Sequence, residues 1–253
     1  MTAVEYFGPL RNINIPPLSV AVDQNAVVYI NGTLYSCGGS GSNGTCYTYD
    51  LDSNSVSWDT FTTIPGKIYR NPALAFDDFF WYINEELRQV PVNGSSVTTY
   101  DWSYGGTDCA VGNGSHSVMI LYKKSSVLMN TDPTTPTIWN TVLELNTNVS
   151  YCGCLWFGNT IYVTGGYDAT GYAINTTQLI DTDTFEVTLG AQLPVTITGH
   201  GMGIIDGAPA VFGGLNGSIP VSTIYVYDNT TDIWSLSGLS LPQELSWFGS
   251  VTF

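Results

Sequence analysis

Five cysteines, at positions 37, 46, 109, 152 and 154, and two histidines, His116 and His200, are the residues of this 253-residue chain best suited to metal, redox or nucleophilic chemistry. Their spacing argues against each of these. There is no Cys-x-x-Cys pair and the histidines are scattered, so no zinc pattern forms, and Cys152-Gly153-Cys154 is not a recognised redox spacing. Neither histidine stands beside a convincing nucleophile motif, because Gly-Asn-Gly-Ser-His ending at His116 reads as a turn and a glycosylation acceptor. The acidic pairs Asp77-Asp78 and Glu85-Glu86 fall in turns, whereas glycosidase carboxylates face each other across a cleft of about 5–9 Å. No catalytic residue, cofactor or metal ligand is expected.

A different chemistry is better represented. Asn-x-Ser/Thr acceptors for N-linked glycans occur at Asn31, Asn43, Asn93, Asn113, Asn148, Asn175, Asn216 and Asn229. Chance use of the chain's Asn, Ser and Thr predicts roughly four. The excess, the low lysine content and the cysteines point to a secreted, extracellular protein. Residues 1–10 lack a basic and an apolar leader region, so a signal peptide is expected to have been removed or to lie outside this numbering. No apolar run approaches a membrane span. A net charge of −15 with only six Lys plus Arg repels nucleic acid.

The elements that would carry these residues are short strands. Charged residues make up 11% of the chain against 43% apolar, with 27 Gly and 12 Pro, which suits tight turns and one all-β domain over residues 1–253. A unit recurs along it, seen best at 161–194: an apolar strand ending in a Gly pair, a polar loop, a strand ending in Asp, a four-residue turn, an aromatic and Leu-Pro. Gly pairs at 38, 165 and 213 act as a ruler, and Glu85-Glu86 and Lys123-Lys124 take the place of the pair in two degenerate copies. The steps average about 44 residues, the length of a propeller blade. Turns at Asn31-Gly32, Asp77-Asp78, Asn113-Gly114, Gly158-Asn159 and Asp206-Gly207 are expected to join first to second strands.

The strand-Gly-Gly unit, followed by Tyr-x-Tyr-Asp (47–50 and 225–228), then Trp58 or Trp234 and Pro65 or Pro242, resembles the kelch repeat. The resemblance implies a kelch-like β-propeller of five recognisable repeats, with a sixth blade split between the termini. On that framework Cys37 and Cys46 flank one hairpin loop and are expected to form a disulfide. Cys109 and Cys152 fall on inner strands of adjacent blades and are expected to bridge them, leaving Cys154 as the odd thiol; Cys109 to Cys154 is the alternative. Some secreted kelch-like propellers are copper radical oxidases resembling galactose oxidase, but only His116 and His200, both placed on inner strands, are at hand for the metal. Asp50, Asp52 and Asn54 resemble the start of a calcium loop yet lack its Gly and distal Glu, so a polar turn is expected there.

The ends exceed five repeats. Residues 1–17 read as one or two outer strands and residues 244–253 as the first strand of a sixth repeat. Either they complete one blade within the molecule, or an open edge accepts a strand from a neighbouring copy, which repeated head to tail builds a filament. Of the eight acceptors, Asn31, Asn93, Asn113 and Asn229 fall on one face of a propeller and the other four on the opposite face. Sugar on both faces favours contacts at the rim. The expected function is therefore non-catalytic: a structural or adhesive extracellular component whose partner is itself, through terminal strands, or another extracellular protein. A monomeric carbohydrate- or receptor-binding propeller using Tyr167, Tyr172 and Trp102 is the alternative.

Overall fold

The computed structural model describes residues 15–20, 22–53, 55–66, 72–83, 86–132, 134–135 and 137–251. Among them the regular elements are strands, grouped in five antiparallel sheets that follow one another along the chain. Blade one comprises β1 (Ala26–Ile30), β2 (Thr33–Cys37), β3 (Thr45–Asp50) and β4 (Asp59–Thr63), and blade two comprises β5 (Ala73–Ala75), β6 (Phe79–Ile83), β7 (Leu87–Pro91) and β8 (Thr98–Tyr100). Blade three holds β9 (Thr107–Gly112), β10 (Ser117–Leu121), β11 (Lys124–Asn130) and β12 (Asn140–Val149). Blade four holds β13 (Gly153–Phe157), β14 (Thr160–Thr164), β15 (Thr177–Asp181) and β16 (Val187–Leu189). Blade five holds β17 (Gly201–Ile205), β18 (Ala208–Phe212), the two-residue β19 (Leu215–Asn216), β20 (Ile219–Asp228) and β21 (Ile233–Leu245). Strands pair in chain order, except that in blade five β18 pairs with β20 and the short β19 pairs with β20, and the first strands β1, β5, β9, β13 and β17 lie side by side around an axis. This is a five-blade β-propeller arrangement.

The sequence dictates this locally. At Asn31-Gly32 both residues have positive φ (47° and 84°), the geometry that reverses a hairpin in two residues without splaying its strands. The second strand of a blade is sandwiched between neighbours on both sides, so Phe80, Trp81, Tyr82 and Ile83 of β6 are all fully buried. Apolar clusters fill each junction: Tyr35 and Phe80 between blades one and two, Trp81 and Met119 between two and three, Val127 and Ile161 between three and four, and Tyr162 and Val211 between four and five. Trp234 reaches from blade five to blade four, where its Nε1 donates to Thr177 Oγ1 at 3.0 Å. Trp139 reaches from blade three to Trp81 of blade two, ring centroids 5.7 Å apart. Trp58 likewise faces the position before blade one, packing on Ile15 and Leu18 and donating its Nε1 to the Pro16 carbonyl at 2.7 Å.

Gly pairs have a specific task. The residue after each pair makes an isolated bridge with the residue three before the inner strand of its own blade: Ser40 with Asp23, Tyr167 with Ser150, and Leu215 with Thr198. The chain must pass close to that backbone to do so. Gly166 has φ +92°, and a Cβ there would stand 2.6 Å from the Ser150 carbonyl oxygen. Blades two and three lack the pair, and no such bridge is recorded for them among the described residues.

The terminal segments differ from the expectation of strands. Residues 1–14 and 252–253 lie outside the described residues, and 15–17 are not in a strand. Glu244 and Leu245 belong to β21 of blade five, and 246–251 form no ladder, because Trp247 adopts φ 58° and its backbone bonds to two different blades. Its N–H donates to the Gly199 carbonyl (2.8 Å), and its carbonyl accepts from Gln24 N–H (2.6 Å). The position between blades five and one is thus lined by 15–20 and 22 on the blade-one side and by 246–251 on the inner side.

Candidate functional site

The entry ends of the inner strands enclose an axial cavity of about 360 Å³, lined by residues from blades one to five and by 247–250. Its wall is built from one repeated detail. Two residues before an inner strand the backbone takes a left-handed conformation: Gln24 (φ 60°), Gly105 (91°), Tyr151 (59°) and Gly199 (57°), with Trp247 (58°) in the same role. Four of these are linked by hydrogen bonds that run around the axis. Tyr151 N–H donates to Asp108 Oδ1 (2.8 Å), Gly199 N–H to the Tyr151 carbonyl (3.1 Å), Trp247 N–H to the Gly199 carbonyl (2.8 Å) and Gln24 N–H to the Trp247 carbonyl (2.6 Å). Blade three is thereby tied through blades four and five and the C-terminal segment back to blade one.

Small residues open the inner strands because each presses on the next entry. A Cβ on Gly153 would lie 2.6 Å from His200 Nε2, and one on Gly249 would lie 2.7 Å from the Asn25 carbonyl oxygen. The ring is consequently tight. Aromatic side chains border it: Tyr151 packs edge-on against Tyr122, Tyr167 and Trp247 at centroid distances of 5.3, 5.9 and 4.9 Å. The Tyr122 and Tyr151 hydroxyls are hydrogen-bonded at 2.9 Å, and Lys123 Nζ lies 5.2 Å from the Tyr122 ring centroid.

Three titratable groups in this wall are perturbed. Burial pushes the Asp108 carboxyl up to about 7 against the opposing pull of the Tyr151 N–H, and its Oδ2 is buried with no hydrogen-bond partner. Burial lowers the His200 imidazole to about 4; its Nε2 meets Thr164 Oγ1 at 2.8 Å while Nδ1 has no partner. The Cys152 thiol is pushed well above its ordinary value by burial and then by the Asp108 charge.

The cysteines fulfil one expectation and correct another. Cys37 and Cys46 are bonded and are register partners across β2 and β3. Cys109 is bonded to Cys154 rather than to Cys152, with Cα atoms 6.1 Å apart, within the usual span of a disulfide. Cys154 stands inside β13, beside β9, whereas Cys152 precedes the strand and is the free, buried thiol. Neither histidine lies in an inner strand as expected: His200 stands one residue before β17 and borders the cavity, and His116 sits in the turn between β9 and β10. No group of three His, Cys, Asp or Glu side chains suited to a metal occurs among the described residues.

The remaining residues singled out by sequence fall as follows. Asn31, Asn43, Asn93, Asn113, Asn216 and Asn229 are exposed, Asn148 is partly buried at the end of β12, and Asn175 is partly buried with its Nδ2 donating to the Leu193 carbonyl at 2.8 Å. Strand order places them on the two faces as expected. Glu86 pairs with Arg88 of its own blade and Glu85 lies outside the described residues. Asp50 Oδ1 accepts the Asp52 N–H, forming a local turn, and Asn54 lies outside the described residues. Tyr172 is 74% exposed, whereas Trp102 is packed against Tyr104 and Trp139. Sequence reading missed Trp139 and the entry ring, although Tyr151-Cys152-Gly153, Gly199-His200-Gly201 and Trp247-Phe248-Gly249 repeat a terminal glycine every 48 residues (201 − 153 and 249 − 201).

No family model matches the chain, and no curated protein matches it. Among solved structures the chain is similar to one titled "Structure of YjhT", with a TM-score of 0.79 and 14% identity over 92% of this chain and 88% of that one. At that identity the likeness establishes the propeller fold.

Proposed function

We propose that the chain is an extracellular, N-glycosylated, kelch-like propeller without catalytic activity, a structural or adhesive component that associates with further copies of itself at the rim. The observation that carries this reading is β21. It runs for 13 residues and, among the described residues, pairs only with β20. Leu236 (63%) and Leu239 (49%) on it, and Ile219 (67%) on β20, are exposed. A long edge strand with unpaired backbone groups and exposed leucines is suited to adding a strand from another chain. The contact would be heterologous, and repetition would give an open filament. Two disulfides and six exposed acceptor asparagines fit an oxidising, extracellular setting.

Light scattering over a wide concentration range, with electron microscopy, tests this. Polymers that grow with concentration are expected, and Leu236→Lys with Leu239→Lys should abolish them while leaving the melting temperature near that of the parent. A monodisperse monomer at every concentration would overturn the reading.

The aromatic border of the cavity favours a second reading, a monomer that binds a carbohydrate or a small receptor group near Tyr151, Tyr167 and Tyr172. Glycan-array binding by the monomer, lost on Tyr172→Ala, supports it.

A further inference from the structure

Three of the five cysteines meet in the wall of the cavity, where blade three adjoins blade four. Cys109 of β9 is bonded to Cys154 of β13, and the free thiol of Cys152 lies 3.7 Å from Cys109 Sγ. The buried thiol is therefore in contact with the sulfur it would attack. Asp108, next to Cys109 in the chain, is close enough for its charge to act on Cys152. All four residues line the cavity.

We propose that these cysteines form a thiol–disulfide exchange site, in which the bond from Cys109 passes between Cys154 and Cys152 and so moves the free thiol between a sheltered and an accessible position. Cys152 loses its proton to solvent base, and its sulfur attacks Cys109 Sγ. The Cys109–Cys152 bond forms as the Cys109–Cys154 bond breaks, and Cys154 leaves as a thiolate that regains a proton. One disulfide and one thiol exist before and after, so no oxidant or reductant is consumed.

The two ends of the exchange differ in access. Cys152 is 7% exposed, whereas Cys154 is only partly buried. Exchange converts an inert thiol into one that a small electrophile entering the cavity can modify, either an alkylating agent or the disulfide of a small thiol. Because thiolate is the nucleophile and burial holds Cys152 protonated, exchange accelerates with pH, about tenfold per unit while the thiol remains mostly protonated. The other titratable side chains lining the cavity are Asp108, Tyr122, Tyr151 and His200. Asp108 is the one whose charge acts on the Cys152 thiol, opposing its ionisation.

The test uses the folded, disulfide-intact protein, treated with iodoacetamide between neutral and mildly alkaline pH, quenched in acid and digested without reduction. The expected product carries the label on Cys154 and a Cys109–Cys152 bond, and it accumulates faster as pH rises. Cys154→Ser should fold with a Cys109–Cys152 bond, and Cys152→Ser should take no label. Label on Cys152 with Cys109–Cys154 intact would overturn the proposal, as would an unlabelled native protein whose unfolded form yields one reactive thiol. Two free thiols in folded Cys154→Ser would do the same.

Discussion

Replacing Asp108 with Asn tests the electrostatics of the axial wall, because the variant keeps the acceptor for Tyr151 N–H and removes the charge. The carboxyl titrates near 3.8 when unfolded and about 7 when folded, so the folded chain holds its proton more tightly. Stability from this group is fully present below 3.8 and is lost as pH rises through 7, by up to about 4 kcal/mol. His200 has the opposite sign. Its value falls from 6.5 to about 4, so stability is present above 6.5 and is lost as pH falls through 4, by up to about 3 kcal/mol. Between pH 4 and 6.5 the two slopes oppose each other, and the wild type changes little on their account. Asp108→Asn leaves an amide nitrogen that lacks a partner, a cost of about 1–3 kcal/mol. At about pH 8 the variant should still be more stable, by roughly 2 kcal/mol. On the acid side it should show the His200 slope unmasked, about 1 kcal/mol per pH unit. Denaturant unfolding at a series of pH values, with disulfides intact, measures both effects. Parallel pH profiles for variant and wild type, or a variant less stable at alkaline pH, would refute the reasoning.

Two further outcomes concern packing and one concerns glycosylation. Trp234→Ala removes a 3%-exposed indole and strands the fully buried Thr177 hydroxyl, costing about 4 kcal/mol or more, whereas Leu236→Ala two residues on should change stability by no more than about 0.5 kcal/mol; thermal melts compare them directly. Gly249→Ala drives a Cβ into the Asn25 backbone and should cost about 1–3 kcal/mol, while Gly238→Ala, with nothing within 4 Å, should be neutral within about 0.5 kcal/mol. Glycopeptide mass spectrometry of secreted protein should find Asn175 bare, since its Nδ2 holds the Leu193 carbonyl, with sugar on exposed sites such as Asn93 and Asn229.

Much of the fold was legible because its signals are local. Asn-Gly and Asp-Gly turns reverse the chain wherever they occur, and Gly pairs mark where a loop must pass close to the entry of its own blade. The second strands read as apolar runs because neighbouring blades cover both their faces. The disulfide between Cys37 and Cys46 was legible for the same reason, as both flank one hairpin. The partner of Cys109 was not. Cys152 and Cys154 differ by two residues, and spacing along the chain cannot tell which of them lies opposite another strand; that depends on where β13 begins. Asp108 was equally hidden, because its significance comes from burial at the axis and from the Tyr151 N–H, 43 residues away in sequence.

The entry ring changes what the termini mean. Trp247-Phe248-Gly249 follows Gly199-His200-Gly201 in spacing, in backbone conformation and in the small residue that presses on the next entry. Inner closure between blades five and one is therefore made by this chain's own backbone, from Gly199 through Trp247 to Gln24. Trp58 is satisfied on the other side, since Pro16 supplies the acceptor that Thr177 supplies to Trp234. A second copy would thus find the inner closure between blades five and one already made and, among the described residues, the outer edge of blade five still exposed. The self-association proposed above acts on β21 at the rim, so substitutions there should separate assembly from folding, whereas substitutions in the ring should impair both.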